Sequence, residues 1–296
     1  MDALGAERAG AGMRGEGASF LVGLVGAGIQ ASRTPRLHER EGDAQGLRYL
    51  YRLIDLEALG LGVEALPELL LAAERLGFTG LNVTYPCKQA VIPLLDDLSA
   101  DARALAAVNT VLFAGGRRIG HNTDWSGFAE SFRRALSDAP RERVVQFGAG
   151  GAGAAVAHAL LTLGAGEVVL VDTDRRRAED LAGALRERFG PGRGRVGTDP
   201  AQALAGVHGV VNATPMGMAK HPGSPVPADL LRPELWVADI VYFPLETELL
   251  RDARARGCRT MGGGGMAVFQ AADAFRLFTG REPDAERMLR HFEAMG

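Results

Sequence analysis

"VVQFGAGGAGAAVAHALLTLGAGEVVLVD", residues 144–172, decides the fold. The run Val144–Phe147 has the length of a buried strand, and an alanine-rich stretch of helical length follows it. Between them Gly148, Gly150 and Gly153 form G-x-G-x-x-G. The first glycine permits a tight turn, the second lets backbone approach a pyrophosphate, and the third lets helix and strand pack closely. A second apolar run, Val168–Val171, ends in Asp172, 19 residues beyond Gly153, where a carboxylate can accept from ribose hydroxyls. Strand, glycines, helix, strand and acid occur in order, which predicts a dinucleotide site rather than a structural turn.

Outward from this stretch the rhythm is regular. Strands are expected at 144–148, 167–171, 209–213 and 235–240, with a short one near Arg259–Met261, and helices at 151–163, 175–188 and 245–256. Alternation of that kind indicates a parallel, doubly wound sheet, a Rossmann domain. The basic "GPGRGRVG" (190–197) reads as a flexible loop, and the glycines of "MGGGG" (261–265) as a turn.

The N-terminal half is also α/β. "SFLVGLVGAG" and "YLYRLIDL" read as strands, with Thr34 as N-cap and Pro35 as first helical residue between them. A helix over 63–76 is closed by Gly77, "TGLNVTYP" is a third strand, and "QAVIPLLDDLS" a short helix. "VNTVLFAGGRRIGHNTD" is a hairpin about a Gly-Gly turn, followed by a helix over 126–137. The expected organisation is a flexible tail over 1–18 and a first domain over 19–124, joined by C-terminal helices from about 267 to 296. The nucleotide domain then covers 125–266.

Bulk properties narrow the function. A chain of 296 residues accommodates two domains, and its 47% hydrophobic and 23% charged content is that of a globular protein. A net charge of −3 argues against nucleic-acid partners, no apolar run is long enough for a membrane span, and the opening "MDALGAERAGAGMRGEGASF" has no apolar core of the kind a secretory signal carries. Cys87 and Cys258 suit neither a disulfide framework nor zinc, so a reducing cytoplasm is expected. His38, His121 and His158 have no metal-like spacing, and no metal is expected.

Four polar clusters interrupt the otherwise apolar first half: Ser32 and Thr34; Asn82, Thr84 and Lys88; Asn109; and Asn122 with Asp124. Each alone has an ordinary explanation as a cap, a turn or a solvated side chain. Together they resemble the shikimate/quinate dehydrogenase family. The motifs are Ser32-Arg33-Thr34-Pro35, Asn82-Val83-Thr84-Tyr85-Pro86-Cys87-Lys88, Asn109-Thr110, Asn122-Thr123-Asp124 and Gly148-Ala149-Gly150-Gly151-Ala152. Asn212-Ala213-Thr214-Pro215-Met216-Gly217-Met218, Asp239-Ile240-Val241-Tyr242-Phe243-Pro244, and Gly265-Met266 with Gln270-Ala271 continue the series.

The resemblance implies a two-domain α/β fold, a substrate domain and a Rossmann domain with a cleft between them. It implies a small-molecule substrate, shikimate or quinate, in a monomer or homodimer. Ser32 and Thr34 would hold the substrate carboxylate, Thr84, Asn109, Asp124 and Gln270 the ring hydroxyls, with Tyr242 close by. Lys88, paired with Asp124, would be the general acid/base. The loop of Gly148, Ala149, Gly150, Gly151 and Ala152 would contact the dinucleotide, with Asp172, Arg177, Val241 and Gly265. A desolvated lysine suits proton transfer near neutral pH, and the hydride chemistry belongs to the cofactor.

Two departures from the family pattern point to NAD. Thr34 replaces the usual second serine. Asp172-Thr173-Asp174 stands where NADP-dependent members carry Asn-Arg-Thr, and an acid beside a 2′-phosphate is unfavourable. Arg175, Arg176 and Arg177 follow too late in that alignment, although Arg177 matches a family arginine. The expectation is therefore NAD-dependent oxidation of the C3 hydroxyl of shikimate or quinate, giving 3-dehydroshikimate or 3-dehydroquinate, in a catabolic direction. NADP-dependent biosynthetic shikimate dehydrogenase and aminoshikimate dehydrogenase are the enzymatic alternatives, and methylenetetrahydrofolate dehydrogenase fits poorly. A catalytically silent ligand sensor is the alternative from another class, opposed by the presence of both Lys88 and Asp124.

Overall fold

The computed structural model describes residues 18–295, so the expected N-terminal tail lies almost wholly outside the described residues. The chain forms two compact units: one runs to Thr123 and resumes at Ala271, and the other is Asp124–Gln270. Both are α/β. Among the described residues no helix is long and apolar enough to cross a membrane.

In the first unit six strands form one sheet: β1 Ser19–Gly26, β2 Arg48–Asp55, β3 Gly80–Val83, β4 Asp97–Leu98, β5 Thr110–Ala114 and β6 Arg117–His121. Their order is β2-β1-β3-β5-β6-β4. β1 runs parallel to β2 and β3, whereas β5 is antiparallel to β3 and β6. Helices α1 Thr34–Ala44, α2 Leu56–Leu59, α3 Leu66–Arg75, α4 Cys87–Ala90 and α5 Ala100–Leu105 complete the N-terminal part. Two apolar clusters form its core: Phe20, Val22 and Tyr49 pack with Phe275 and Phe278 from the C-terminal segment, and Val25, Leu66, Leu70, Val83 and Val111 form the other.

Several local expectations shift. Helix α1 begins at Thr34 itself, with Arg33 in the cap position and no side-chain cap bond, so Thr34 is not the N-cap. The stretch read as one short helix at 89–99 contains only the end of α4 and a 3-10 turn, and then β4, which pairs Asp97 and Leu98 with Ile119 and Gly120. Two residues are too few for any periodicity to announce a strand. His38 is fully buried, and burial lowers its pKa to about 3, leaving a neutral ring whose Nδ1 lies 3.0 Å from the Tyr49 hydroxyl.

In the second unit all six strands are parallel: β7 Arg143–Phe147, β8 Glu167–Val171, β9 Gly194–Val196, β10 Gly209–Asn212, β11 Trp236–Asp239 and β12 Arg259–Met261. The order β12-β11-β10-β7-β8-β9 reverses direction at β7 and β10, the switch point where open α/β sheets bind ligands. Helices α6 Asp124–Ala135, α7 Gly151–Thr162, α8 Arg175–Phe189, α9 Pro200–Ala203, α10 Glu248–Ala255 and the start of α11 Gly263–Thr279 belong to this unit. Phe128, Phe132, Leu160 and Trp236 belong to one core cluster, and Val145, Phe147, Val210 and Leu249 to the other. The Gly/Arg-rich 190–197 stretch holds β9 rather than a loop alone: Gly194 pairs with Val168 and Val196 with Leu170.

The rest of α11 and α12 Ala285–Glu293 return to the first unit. There Glu41 of α1 is fully buried and holds Arg287 of α12 by Nε at 2.9 Å and Nη2 at 2.7 Å. Glu41 also accepts from Gln45 Nε2 (2.7 Å) and the Asp284 N–H (3.0 Å), so both of its oxygens are hydrogen-bonded.

Candidate active site

In the first unit the turn from β1 to α1 carries Ser32 and Thr34, both half-buried. Ser32 donates its N–H to Ile29 O (2.9 Å), and its hydroxyl accepts the Thr34 N–H at 3.3 Å. The sequence reading missed what fixes this turn. Asp55, at the end of β2, accepts the N–H groups of Gly28 (2.9 Å), Ile29 (3.1 Å) and Glu57 (3.1 Å), and Gln30 Nε2 (3.0 Å). Burial pushes its carboxyl up, but these donors outweigh burial and hold it below its ordinary value. A group so shifted stabilises the fold above its unfolded pKa and loses that contribution as pH falls through the lower folded value. Asp55→Asn is therefore expected to flatten the acid limb of the pH–stability curve, read by denaturant unfolding from pH 7 to 3. An acid limb identical to that of the unmodified chain would contradict the assignment.

Asn82 and Asn109 belong to one buried hydrogen-bond network. The Tyr51 hydroxyl donates to Asn82 Oδ1 (2.8 Å), and Asn82 Nδ2 donates to Thr110 Oγ1 (3.0 Å) and Asn109 O (3.3 Å). The Thr110 hydroxyl donates to Asn109 Oδ1 (3.1 Å), which also accepts the Thr123 N–H (2.8 Å). Asn109 Nδ2 donates to Thr123 Oγ1 at 2.9 Å. Each amide is thus held in one orientation, which a free asparagine would not be. Asn122 donates Nδ2 to Ala107 O at 2.9 Å. Tyr51 and Thr110 gave no sequence signal beyond membership of a strand.

Thr84 follows β3, and its carbonyl accepts the Cys87 N–H (2.8 Å) where α4 begins. Lys88 is half-buried on α4, and its carbonyl accepts the Val108 N–H at 2.9 Å, which ties its backbone to the residue before Asn109. Cys87 beside it is buried, and burial pushes its thiol up to about 11, so it stays protonated and serves as packing.

In the second unit the glycine loop has the expected geometry. Gly148 has φ +98°, and a Cβ there would lie 2.5 Å from Ala213 O; one on Gly153 would lie 2.3 Å from Gly148 O. Gly150 and Gly151 face open space, and Gly150 is the extended N-cap of the 12-residue α7. The first N–H groups of such a helix have no internal acceptor, and with Ala149 and Ala152 small the loop fits a dinucleotide pyrophosphate.

Asp172 accepts the Ala149 N–H at 2.7 Å and the Asp174 N–H at 2.8 Å. Asp174 in turn caps α8 by accepting the Arg176 N–H at 3.1 Å. Three exposed arginines open α8: Arg175 pairs with Glu179 (2.7 Å) and Arg177 with Asp174 (3.4 Å). Among the described residues the Arg176 guanidinium has no partner.

The loops after β10 and β11 are joined through buried polar groups. Asn212 Nδ2 donates to Asp239 Oδ1 (3.0 Å) and Met216 O (2.9 Å), Thr247 Oγ1 donates to Asp239 Oδ2 (2.7 Å), and the Val241 N–H donates to Asp239 Oδ1 (2.9 Å). Burial raises the Asp239 carboxyl despite these donors. Val241 is buried beneath the start of α11, and Tyr242 is exposed. The glycines read as a turn include the start of a helix: α11 begins at Gly263, where a Cβ would lie 2.4 Å from Ile240 O and 2.6 Å from Val241 O. Two residues on, Gly265 packs against Ser131. Asp124 is buried in the first turn of α6 rather than ahead of it, and the backbone of Gln270 packs directly on Gly127 of that helix.

A glycine loop at the switch point of a parallel sheet, with a second α/β unit rich in buried amides and hydroxyls, is the construction of a dinucleotide-dependent oxidoreductase acting on CH–OH groups. The chain belongs to the shikimate/quinate dehydrogenase family. Residues 24–111 match the shikimate dehydrogenase substrate binding domain and residues 263–291 the shikimate 5'-dehydrogenase C-terminal domain. A shikimate dehydrogenase (NADP(+)) from Streptomyces avermitilis is 63% identical over 92% of this chain and 94% of its own. Relatives of the same name from Arthrobacter sp. and Pseudarthrobacter chlorophenolicus are 56% and 55% identical, each over 93% of this chain and 94% of their own. A solved quinate dehydrogenase from Corynebacterium glutamicum in complex with NAD is 49% identical, with a TM-score of 0.87 over 94% of this chain and 99% of its own.

These relatives overturn the NAD assignment, and with it the oxidative, catabolic direction. The three NADP-dependent relatives share more identity with this chain than the NAD-bound quinate dehydrogenase does. The local geometry explains the misreading. Asp172 braces the glycine loop and Asp174 caps a helix, so neither acid needs a ribose to account for it.

Proposed function

We propose that the chain is an NADP-dependent shikimate dehydrogenase, interconverting the C3 hydroxyl of shikimate and the ketone of 3-dehydroshikimate in the cytoplasm. The observation that carries this reading is the 63% identity, over nearly the whole chain, to a shikimate dehydrogenase (NADP(+)). The first turn of α8 is compatible with it, because among the described residues the Arg176 guanidinium there is unpaired while both neighbouring acids accept backbone N–H groups. Two buried free thiols suit a reducing compartment.

In this reading Ser32 and Thr34 hold the ring carboxylate, and Thr84, Asn109, Asp124 and Gln270 orient the ring hydroxyls, with Tyr242 alongside. Lys88 gives its Nζ proton to the carbonyl oxygen as the ketone is reduced and takes it back in the reverse direction. Bound NADP(H) supplies or accepts the hydride. Gly148, Ala149, Gly150, Gly151 and Ala152 would hold the pyrophosphate, and Val241 and Gly265 would contact the dinucleotide.

Steady-state rates with shikimate or quinate, each with NADP or NAD, test the proposal. The expected result is a kcat/KM with NADP and shikimate at least about tenfold above every other combination, equivalent to about 1.4 kcal/mol in transition-state binding. Faster turnover with NAD would overturn it.

A further inference from the structure

Gln146 is fully buried in the middle of β7, between Val145 and Phe147 in an otherwise apolar core strand. Its Nε2 donates to two carbonyls at once, Gly148 O and Gly153 O, each at 2.8 Å. Those carbonyls belong to the first and third glycines of the dinucleotide loop. One amide therefore bridges the exit of the strand and the first turn of α7. Its Oε1 is buried without a hydrogen-bond partner. A buried unsatisfied acceptor destabilises a fold, and an apolar strand residue would avoid it. Stability alone does not explain this residue.

The effect on the loop is specific. In a peptide unit the carbonyl and the N–H point in opposite directions. The unit joining Gly148 to Ala149 is gripped on its carbonyl by Gln146 and on its N–H by Asp172, at 2.8 Å and 2.7 Å. The Gly153 carbonyl, gripped by the same Nε2, sits in the turn whose N–H groups face an incoming anion. Removing the amide releases both carbonyls from a common anchor, and the loop has then to be ordered when ligand binds.

We propose that Gln146 is a positioning residue for the dinucleotide: it touches no ligand, and it pre-orders the glycine loop that receives the pyrophosphate. This rests on the reading of that loop as the NADP site. The test uses the full chain without substrate, comparing the unmodified protein with Gln146→Met, which keeps length and loses the amide, and with Gln146→Val as a smaller second variant. NADPH affinity is read by fluorescence titration or calorimetry, and stability of the unliganded protein by thermal unfolding.

The expected result is roughly five- to tenfold weaker NADPH binding in both variants, the scale of one lost hydrogen-bonded constraint. The unliganded Gln146→Met protein should melt close to the unmodified chain, since the unsatisfied acceptor disappears together with the two hydrogen bonds. KM for shikimate should not move. Unchanged NADPH affinity in either folded variant would overturn the proposal, as would an affinity loss matched by a lower melting temperature in Gln146→Met. Failure of the unmodified chain itself to bind NADPH would instead overturn the reading of the loop.

Discussion

Lys88→Ala is expected to lower turnover at least about a hundredfold, the usual scale for losing a general acid/base. The residue sits on α4, and its backbone is tied to Val108, one residue before an asparagine whose amide is locked by Thr110 and Thr123. The ammonium is thus carried by a short helix anchored to the loop that leads into β5. Lys88→Arg should be almost as impaired, because a guanidinium keeps its proton at any working pH. Direct NADPH titration should give the same affinity in both variants, separating lost chemistry from lost binding. Turnover near that of the unmodified chain in Lys88→Ala would remove the lysine from the mechanism.

The second large effect is on stability. Arg287→Met should destabilise the first unit by about 3–5 kcal/mol, the cost of leaving a buried charge without its partner. Glu41 is fully buried, and only Gln45 and the Asp284 N–H would remain to solvate its carboxylate. The double variant Glu41→Gln with Arg287→Met should recover most of the loss, since removing both charges of a buried pair is often close to neutral. Urea unfolding followed by the fluorescence of a probe confined to the first unit would measure both. A loss under about 1 kcal/mol in Arg287→Met would mean that the pair behaves as an exposed one.

The fold was legible wherever periodicity carried the information. The glycine loop, the parallel rhythm from Val144 onward and the Gly-Gly hairpin all lie where the sequence placed them. What escaped were elements whose reason is tertiary. β9 is three residues in a glycine-rich stretch, and β4 is two residues that exist only because β6 offers an edge. The helical start of α11 runs through glycines, poor helix formers, because backbone of the 240–241 loop passes too close for a side chain.

The candidate site was legible as residue types and not as connections. Tyr51 to Asn82 spans 31 positions, and Asp55 to Gly28 spans 27, so no local pattern could pair them. The cofactor assignment failed for a related reason. An acid at the end of β8 is the same letter whether it binds a ribose or braces a loop, and only its hydrogen bonds distinguish the two.

The return of the C-terminal helices has a consequence for synthesis. The second unit is contiguous, so its whole chain exists once Gln270 has left the ribosome. The first unit begins earlier and still lacks α12 at that moment. Glu41 is made 246 residues ahead of Arg287. At translation rates of about 5–20 residues per second, that leaves its carboxylate waiting in water for roughly 12–50 s. The unit whose chain starts first is therefore completed after the other, when α12 brings Arg287 to Glu41.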